Sequence, residues 1–241
     1  MDSNPNEVVT ILLVNSDDAS ASELQAQYAT AGIEQYAYTP ESTTSAPSEW
    51  PTLQTLINNG TRLLNFVASL DASSNTVAPY LMDEFTFIFE NNYDNSSPSN
   101  FSCTANRPAS VNGDTESALE QNLMPLMNHF LYSTQILGIE TPDTDALNTT
   151  NAPSGGEGNL GDTAANCTTA YGRPPTYILV DFFNVGPAIT TVDNLNNVTN
   201  PTGRTNVSTA ILSLQSTSGA QGRRSSLAAL LVTLLLGVVL I

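Results

Sequence analysis

Val8-Val9-Thr10-Ile11-Leu12-Leu13-Val14-Asn15 is a nearly unbroken run of β-branched residues and leucine. A strand with one wet face alternates apolar and polar residues. A run without alternation marks a parallel strand covered on both faces. Working outward, Asp17 or Asp18 is placed to cap a helix over residues 20–30 that stops at Gly32. A shorter helix over residues 50–58 opens at Pro51 and ends near Gly60. RLLNFVAS (62–69) reads as the next strand, residues 76–82 as a helical turn or two, and FTFIFE (85–90) as a third strand. Past a polar stretch rich in Asn, Ser and Pro, residues 123–130 and YILVDFF (177–183) supply two more. Between those two, residues 141–175 are Gly-, Asn- and Thr-rich and read as a functional loop or a poorly ordered insertion. Strands separated by helices argue a parallel α/β arrangement. Five strands do not close a β/α barrel, which needs eight, so the expected fold is a partial TIM barrel made of about its last five strands.

The 23 acidic residues face only six basic ones, all arginine, for a net charge of −17. So acidic a surface repels phosphate backbones and anionic headgroups, which excludes nucleic acid as a partner. The plainest reading of the charge is solubility in an acidic extracellular medium. One histidine and no CxxC pair suggest no metal site, and no cofactor is expected. Cys103 and Cys167 pair if the chain is secreted, a bond worth roughly 4 kcal/mol in the loop-entropy picture; two reduced, buried cysteines are the alternative.

The C-terminal end runs from a Ser/Thr-rich stretch through Ser216-Thr217-Ser218-Gly219-Ala220 and a short polar spacer into an apolar segment, residues 227–241. As a helix those residues measure about 22 Å, short of the roughly 30 Å hydrocarbon core, so a tail-anchor helix is disfavoured. Small residues, spacer and apolar tail form the pattern of a cleaved glycosylphosphatidylinositol (GPI) signal, with Ser218 the best-fitting attachment residue by size and Ser216 giving a spacer nearer the usual length. Sequons at Asn59, Asn95, Asn100, Asn148, Asn166, Asn197 and Asn206 agree with passage through the secretory pathway. The first residues, Met1-Asp2-Ser3-Asn4-Pro5-Asn6-Glu7, carry neither a basic n-region nor an apolar h-region. The expectation is that an N-terminal portion, with a signal peptide and more of the fold, precedes Met1. The chain then divides into barrel (1–200), Ser/Thr-rich stalk (201–218) and cleaved signal (219–241).

Several stretches resemble the secreted, GPI-anchored phospholipase-C-like phosphodiesterases of fungi, relatives of phosphatidylinositol-specific phospholipase C. They are NPNEVVTILLVN (4–15), TRLLNFVASLD (61–71), YLMDEFTFIFENNYD (80–94), MNHFL (127–131) and above all YILVDFFNVGPA (177–188). The resemblance implies a TIM barrel that cleaves a phospholipid or related phosphodiester as a monomer on the outer face of the plasma membrane or in the cell wall. It implies two histidines as general base and acid, an arginine on the phosphorane charge, and an aspartate partnering the base. The histidines and arginine belong to the first half of such a barrel. Asp181, in VDFF, matches the aspartate and would hold the imidazole tautomer; a strand-end carboxylate satisfied by backbone N–H groups is the other reading. Asn15, Asp17, Glu90, Tyr93 and Asn184, at strand ends, are candidates for lining the pocket, as is His129, whose plainer reading is a hydrogen-bonded structural histidine. Basic residues at strand ends, present in related bacterial pockets, are not evident here.

Two rival functions stand beside this one. A catalytically inactive GPI-anchored surface glycoprotein with a binding or wall-associated role fits the scarcity of histidine and the dense sequons. Glycoside hydrolysis by Asp83 with Glu84, or by Glu90, is weak, because neighbours on a strand point to opposite faces.

Overall fold

The computed structural model describes residues 1–211 apart from Ala72 and Ser74. Ser218, the segment expected to be cleaved (219–241) and residues 212–217 of the expected stalk lie outside the described residues. The chain divides into two compact units.

The first unit comprises residues 1–93, 101–129 and 162–179. Its elements begin with β1 (Val9–Val14) and α1 (Ala21–Ala31). The cap of α1 is Ser20 rather than Asp17 or Asp18. Its hydroxyl accepts from Glu23 N–H at 3.3 Å while the Glu23 carboxylate accepts from Ser20 N–H at 2.8 Å, a capping box that neither aspartate could complete. The next helix, α2 (Leu53–Asn59), is capped by Thr52 and closed by Gly60, whose φ of 74° is free to a residue without Cβ. Strand β2 (Leu63–Ala68) follows, and Arg62 just before it is buried, donating to the carbonyls of Asn4 and Glu7.

Two expectations fail in the next stretch. Residues 76–80 form no helical turn; they lead into β3 (Leu81–Asp83), which pairs with β2 in parallel. The expected strand at 85–90 is interrupted by a helical turn, α3 (Glu84–Phe87), and only β4 (Ile88–Glu90) is extended. Asp83 causes the break: its carboxylate caps the turn by accepting from Thr86 N–H at 2.9 Å and Thr86 Oγ1 at 2.8 Å. A short helix α4 (Thr115–Glu120) precedes β5 (Met124–Asn128).

Two parallel ladders result, β1-β2-β3 and β4-β5-β8, where β8 is Tyr177–Leu179. The chain joins them through α3. One face carries Leu12, Leu64, Phe66, Met82, Ile88, Met124 and Leu126 in a single cluster, with Tyr177 packed against it. The Tyr177 hydroxyl bonds the Thr10 side chain, so side chains of β1 and β8 touch on this face. On the other face Leu63, Val67 and Leu81 pack against Tyr28 of α1. Strand β1 is less covered than its composition suggests. It pairs only with β2 among the described residues, and Val14 is 70% exposed.

The second unit comprises residues 94–100, 130–161 and 180 onward. It holds an antiparallel hairpin of β6 (Tyr132–Thr134) and β7 (Glu140–Pro142), then α5 (Leu147–Thr150). The stretch expected to be loop or insertion, 141–175, therefore contains a strand, a helical turn and the twelve-residue helix α6 (Leu160–Tyr171), most of which belongs to the first unit. Helix α7 (Ala188–Leu195) is the last element of the second unit and is followed by irregular backbone up to residue 211. Among the described residues, no helix is long and apolar enough to cross a membrane.

Candidate functional site

Glu90 and Asn128 are the last residues of β4 and β5, two positions beyond Ile88 and Leu126 on the same face of their strands. Side chains at the C-terminal ends of parallel strands border the region where α/β sites form. Asn128 Nδ2 donates to Glu90 Oε2 at 3.1 Å. Asn91 ties the two strand ends together, accepting from Asn128 N–H at 2.6 Å and donating to the Ser102 carbonyl at 2.7 Å.

That last bond seats the loop 101–113, which delivers an arginine. Arg107 exchanges backbone hydrogen bonds with Glu90, N–H to carbonyl in both directions. Its Nε donates to Glu90 Oε2 at 2.9 Å, and its Nη2 makes a second, short bond to the same oxygen. The guanidinium lies 4.1 Å over the Tyr93 ring and 5.2 Å from that of Phe85. A basic residue at a strand end, not evident in the sequence, is thus supplied from a loop 17 residues away. Glu90 is 3% exposed at its side chain and Arg107 39%, so the cation faces outward and the carboxylate inward.

Beneath them, Glu84 is buried and hydrogen-bonded to Glu90. Desolvation, and then the bond and charge of Glu90, push its carboxyl up to about 9, so it is a neutral acid donating to its neighbour. This overturns the opposite-faces picture of Asp83 and Glu84: Asp83 caps a helical turn and Glu84 turns inward on it. A directly bonded, buried carboxyl pair leaves no room for the roughly 5–5.5 Å gap a retaining glycosidase needs. Because the raised value lies in the folded state, the contribution of Glu84 to stability is full below about pH 4.5 and falls as pH rises toward 9. Glu84→Gln, which keeps the donated bond, is expected to flatten that decline by on the order of 3 kcal/mol. Urea titrations at pH 5 and pH 9 measure it; parallel slopes for both proteins would refute it.

His129 is fully buried and stacks on Phe101 at 4.0 Å, and its backbone N–H donates to the Leu179 carbonyl at 2.8 Å. Those contacts pack the residue within this unit. The Asn15 carboxamide is consumed locally, bonding Ala19 N–H and carbonyl at 2.9 and 3.0 Å, which rounds the turn into α1. Asp17, beside it, is exposed.

In the second unit Asp181 lies two residues past β8, at a bend where Phe182 takes φ 48°. Asn151 Nδ2 donates to the Asp181 backbone carbonyl at 3.0 Å. The carboxyl is half-buried and raised by desolvation, and among the described residues no N–H reaches it. Asn184 holds the tail, donating to the carbonyls of Ser208 and Ala210 at 2.7 and 2.9 Å. Of the sequons, Asn95 is fully buried and leaves no space for a glycan in this fold; the other six are exposed. Cys103 and Cys167 form a disulfide. Among the described residues no group of three His, Cys, Asp or Glu side chains is placed to hold a metal ion.

A parallel α/β chain with its polar cluster at the strand ends defines the class, and comparison with known proteins supplies the family. The PI-PLC X family model (PI-PLC X 1) matches residues 1–196, so the chain belongs to that family. Two curated relatives come from Arthroderma benhamiae. An uncharacterized secreted protein is 37% identical over 205 residues, 81% of this chain and 44% of its own length. PI-PLC X domain-containing protein 1 is 35% identical over 199 residues, 82% of this chain and 61% of its own. The chain therefore spans about half the length of the relatives it matches. No solved structure matches.

Proposed function

We propose that this chain is the C-terminal part of a secreted, GPI-anchored phosphodiesterase that cleaves a phospholipid or related phosphodiester. The carrying observation is the family match over residues 1–196. The shorter share of the two relatives, 44% and 61%, supports a longer parent whose upstream strands complete a TIM barrel and bring the two catalytic histidines. In that parent Asp181 partners the histidine that acts as base. Arg107 offers the substrate phosphate a cation: among the described residues its Nη1 donates to no group, while Nε and Nη2 are spent on Glu90. Tyr93, 41% exposed, lies against the same guanidinium. The relative described as secreted supports an extracellular location, and a GPI anchor at Ser218 would hold the protein there.

The test begins with the transcript. Its 5′ end is sequenced, the longest product expressed, and turnover measured on phosphatidylinositol vesicles and a soluble chromogenic phosphodiester. Activity is expected from a product with two upstream histidines and none from the 241-residue chain. Its one histidine is fully buried, an observation that favours the inactive surface-glycoprotein reading if the longest product is also silent.

A further inference from the structure

Residues 38–52, ahead of α2, form no helix or strand, yet they curl around a cavity of about 540 Å³. That volume lies within the roughly 300–1,000 Å³ range of small-molecule pockets. The cup begins at the N-terminal end of β2, where Tyr38 N–H donates to the Leu63 carbonyl at 2.8 Å. Glu90 and Asn128 stand at C-terminal strand ends, so the cup is a separate place on the first unit. It is also held in shape. Asn122, at φ 56° ahead of β5, donates from its carboxamide to the Pro47 carbonyl at 2.6 Å, and its own carbonyl accepts from Trp50 Nε1 at 3.1 Å. Pro40, Pro47 and Pro51 fix three of the φ angles. A loop ordered in advance loses little further freedom when a ligand enters.

We propose that this cup binds a neutral saccharide. Tyr38 and Trp50 line it, and both also pack against the apolar cluster that holds Phe66 and Phe87. Ring surfaces anchored in this way match the apolar C–H face of a sugar. Around them stand the hydroxyls of Ser45 and Ser48 and the carboxylates of Glu41 and Glu49, all four residues exposed. Those groups match the sugar's hydroxyls, and a carboxylate accepts from O–H more strongly than a neutral oxygen does. Among the described residues no arginine lines the cup, and the chain carries a net charge of −17, so a phosphate or other anion is repelled. An organic cation fits less well, because exposed carboxylates gain little from a counterion in water. The inference does not depend on the proposed reaction, since a non-catalytic protein would use the same cup.

Trp50 is the only tryptophan of the chain, so its emission reads the cup directly. The full chain, made without glycans in a bacterial periplasm and kept in a detergent lacking a sugar headgroup, is titrated with neutral oligosaccharides of glucose, mannose and N-acetylglucosamine. The expected result is a saturable change in emission from at least one of them, with a Kd of about 1 mM or tighter. Glu41→Gln and Glu49→Gln, at exposed positions, should each weaken it about three- to tenfold while leaving the emission without ligand unchanged. No saturable response to any of them up to about 10 mM would overturn the proposal. Binding undiminished in both glutamine variants would place the sugar elsewhere and overturn it as well. So would a response to spermine that no saccharide matches, which would make the cup a site for an organic cation.

Discussion

Asp181→Asn, made in the longer product that carries the family's two histidines, is expected to lower kcat about a thousand- to ten-thousand-fold while KM moves little. An aspartate that orients an imidazole and stabilises the imidazolium acts on the reacting step and not on substrate binding, so the loss falls on kcat. The local environment argues for such a partner. Asp181 is half-buried, desolvation alone raises its carboxyl, and among the described residues no N–H reaches it. A carboxylate in that situation gains most from a nearby cation, which an imidazolium would be. Circular dichroism separates a folding defect from a catalytic one. The pH profile of kcat/KM should lose the steepness of its acid limb in the asparagine variant. A drop of less than tenfold with an unchanged profile would reduce Asp181 to a strand-end carboxylate.

The second large effect is on stability. Replacing both Cys103 and Cys167 with alanine is expected to cost roughly 4 kcal/mol, because the bridge closes a loop of 64 residues with its Cα atoms 5.1 Å apart. The cost should reach beyond chain entropy. Cys167 is fully buried in α6, and Cys103 opens the loop that carries Arg107 to Glu90, so losing the bridge frees the loop end that positions the guanidinium. Urea unfolding of the double variant against the parent gives the number. A change below about 1 kcal/mol would mean that Asn91 and the Glu90–Arg107 pairing hold the loop unaided.

What could be read in advance follows from where each signal resides. Strand β2 and helix α2 announced themselves through local chemistry: a bulky apolar run in one case, a proline near the start and a terminal glycine in the other, although the cap is Thr52 and the helix opens two residues after Pro51. Helix α6 did not, because LGDTAANCTTAY is rich in residues with weak helix preference and draws support from its buried cysteine. FTFIFE alternates as a strand should, yet the carboxylate of Asp83 just upstream converts its first half into a turn. The same distinction governs the site. Asp181 was reached by resemblance and Glu90 as a strand-end acid. Arg107 is not legible, since it arrives on a loop whose register is set by a backbone bridge, and Glu84 is legible only as half of an acidic pair, since its burial against Glu90 depends on that turn. Asn15 and Asn184 were singled out as polar strand-end residues, but their side chains are occupied by nearby carbonyls and amides. Position along the chain could not reveal that occupancy.

Asn166 lies in α6 directly before Cys167, which is the middle residue of its own sequon. Asn166 faces solvent while its neighbour is sealed in the core by the bond to Cys103. Glycan transfer needs the sequon as a pliable, extended stretch; the helix and the bridge remove that pliability. In a chain entering a secretory lumen, sugar attachment and thiol oxidation would therefore compete in time for the same three residues. The fraction of molecules glycosylated at Asn166, read by mass spectrometry, would then be a clock for how quickly the bridge closed during synthesis.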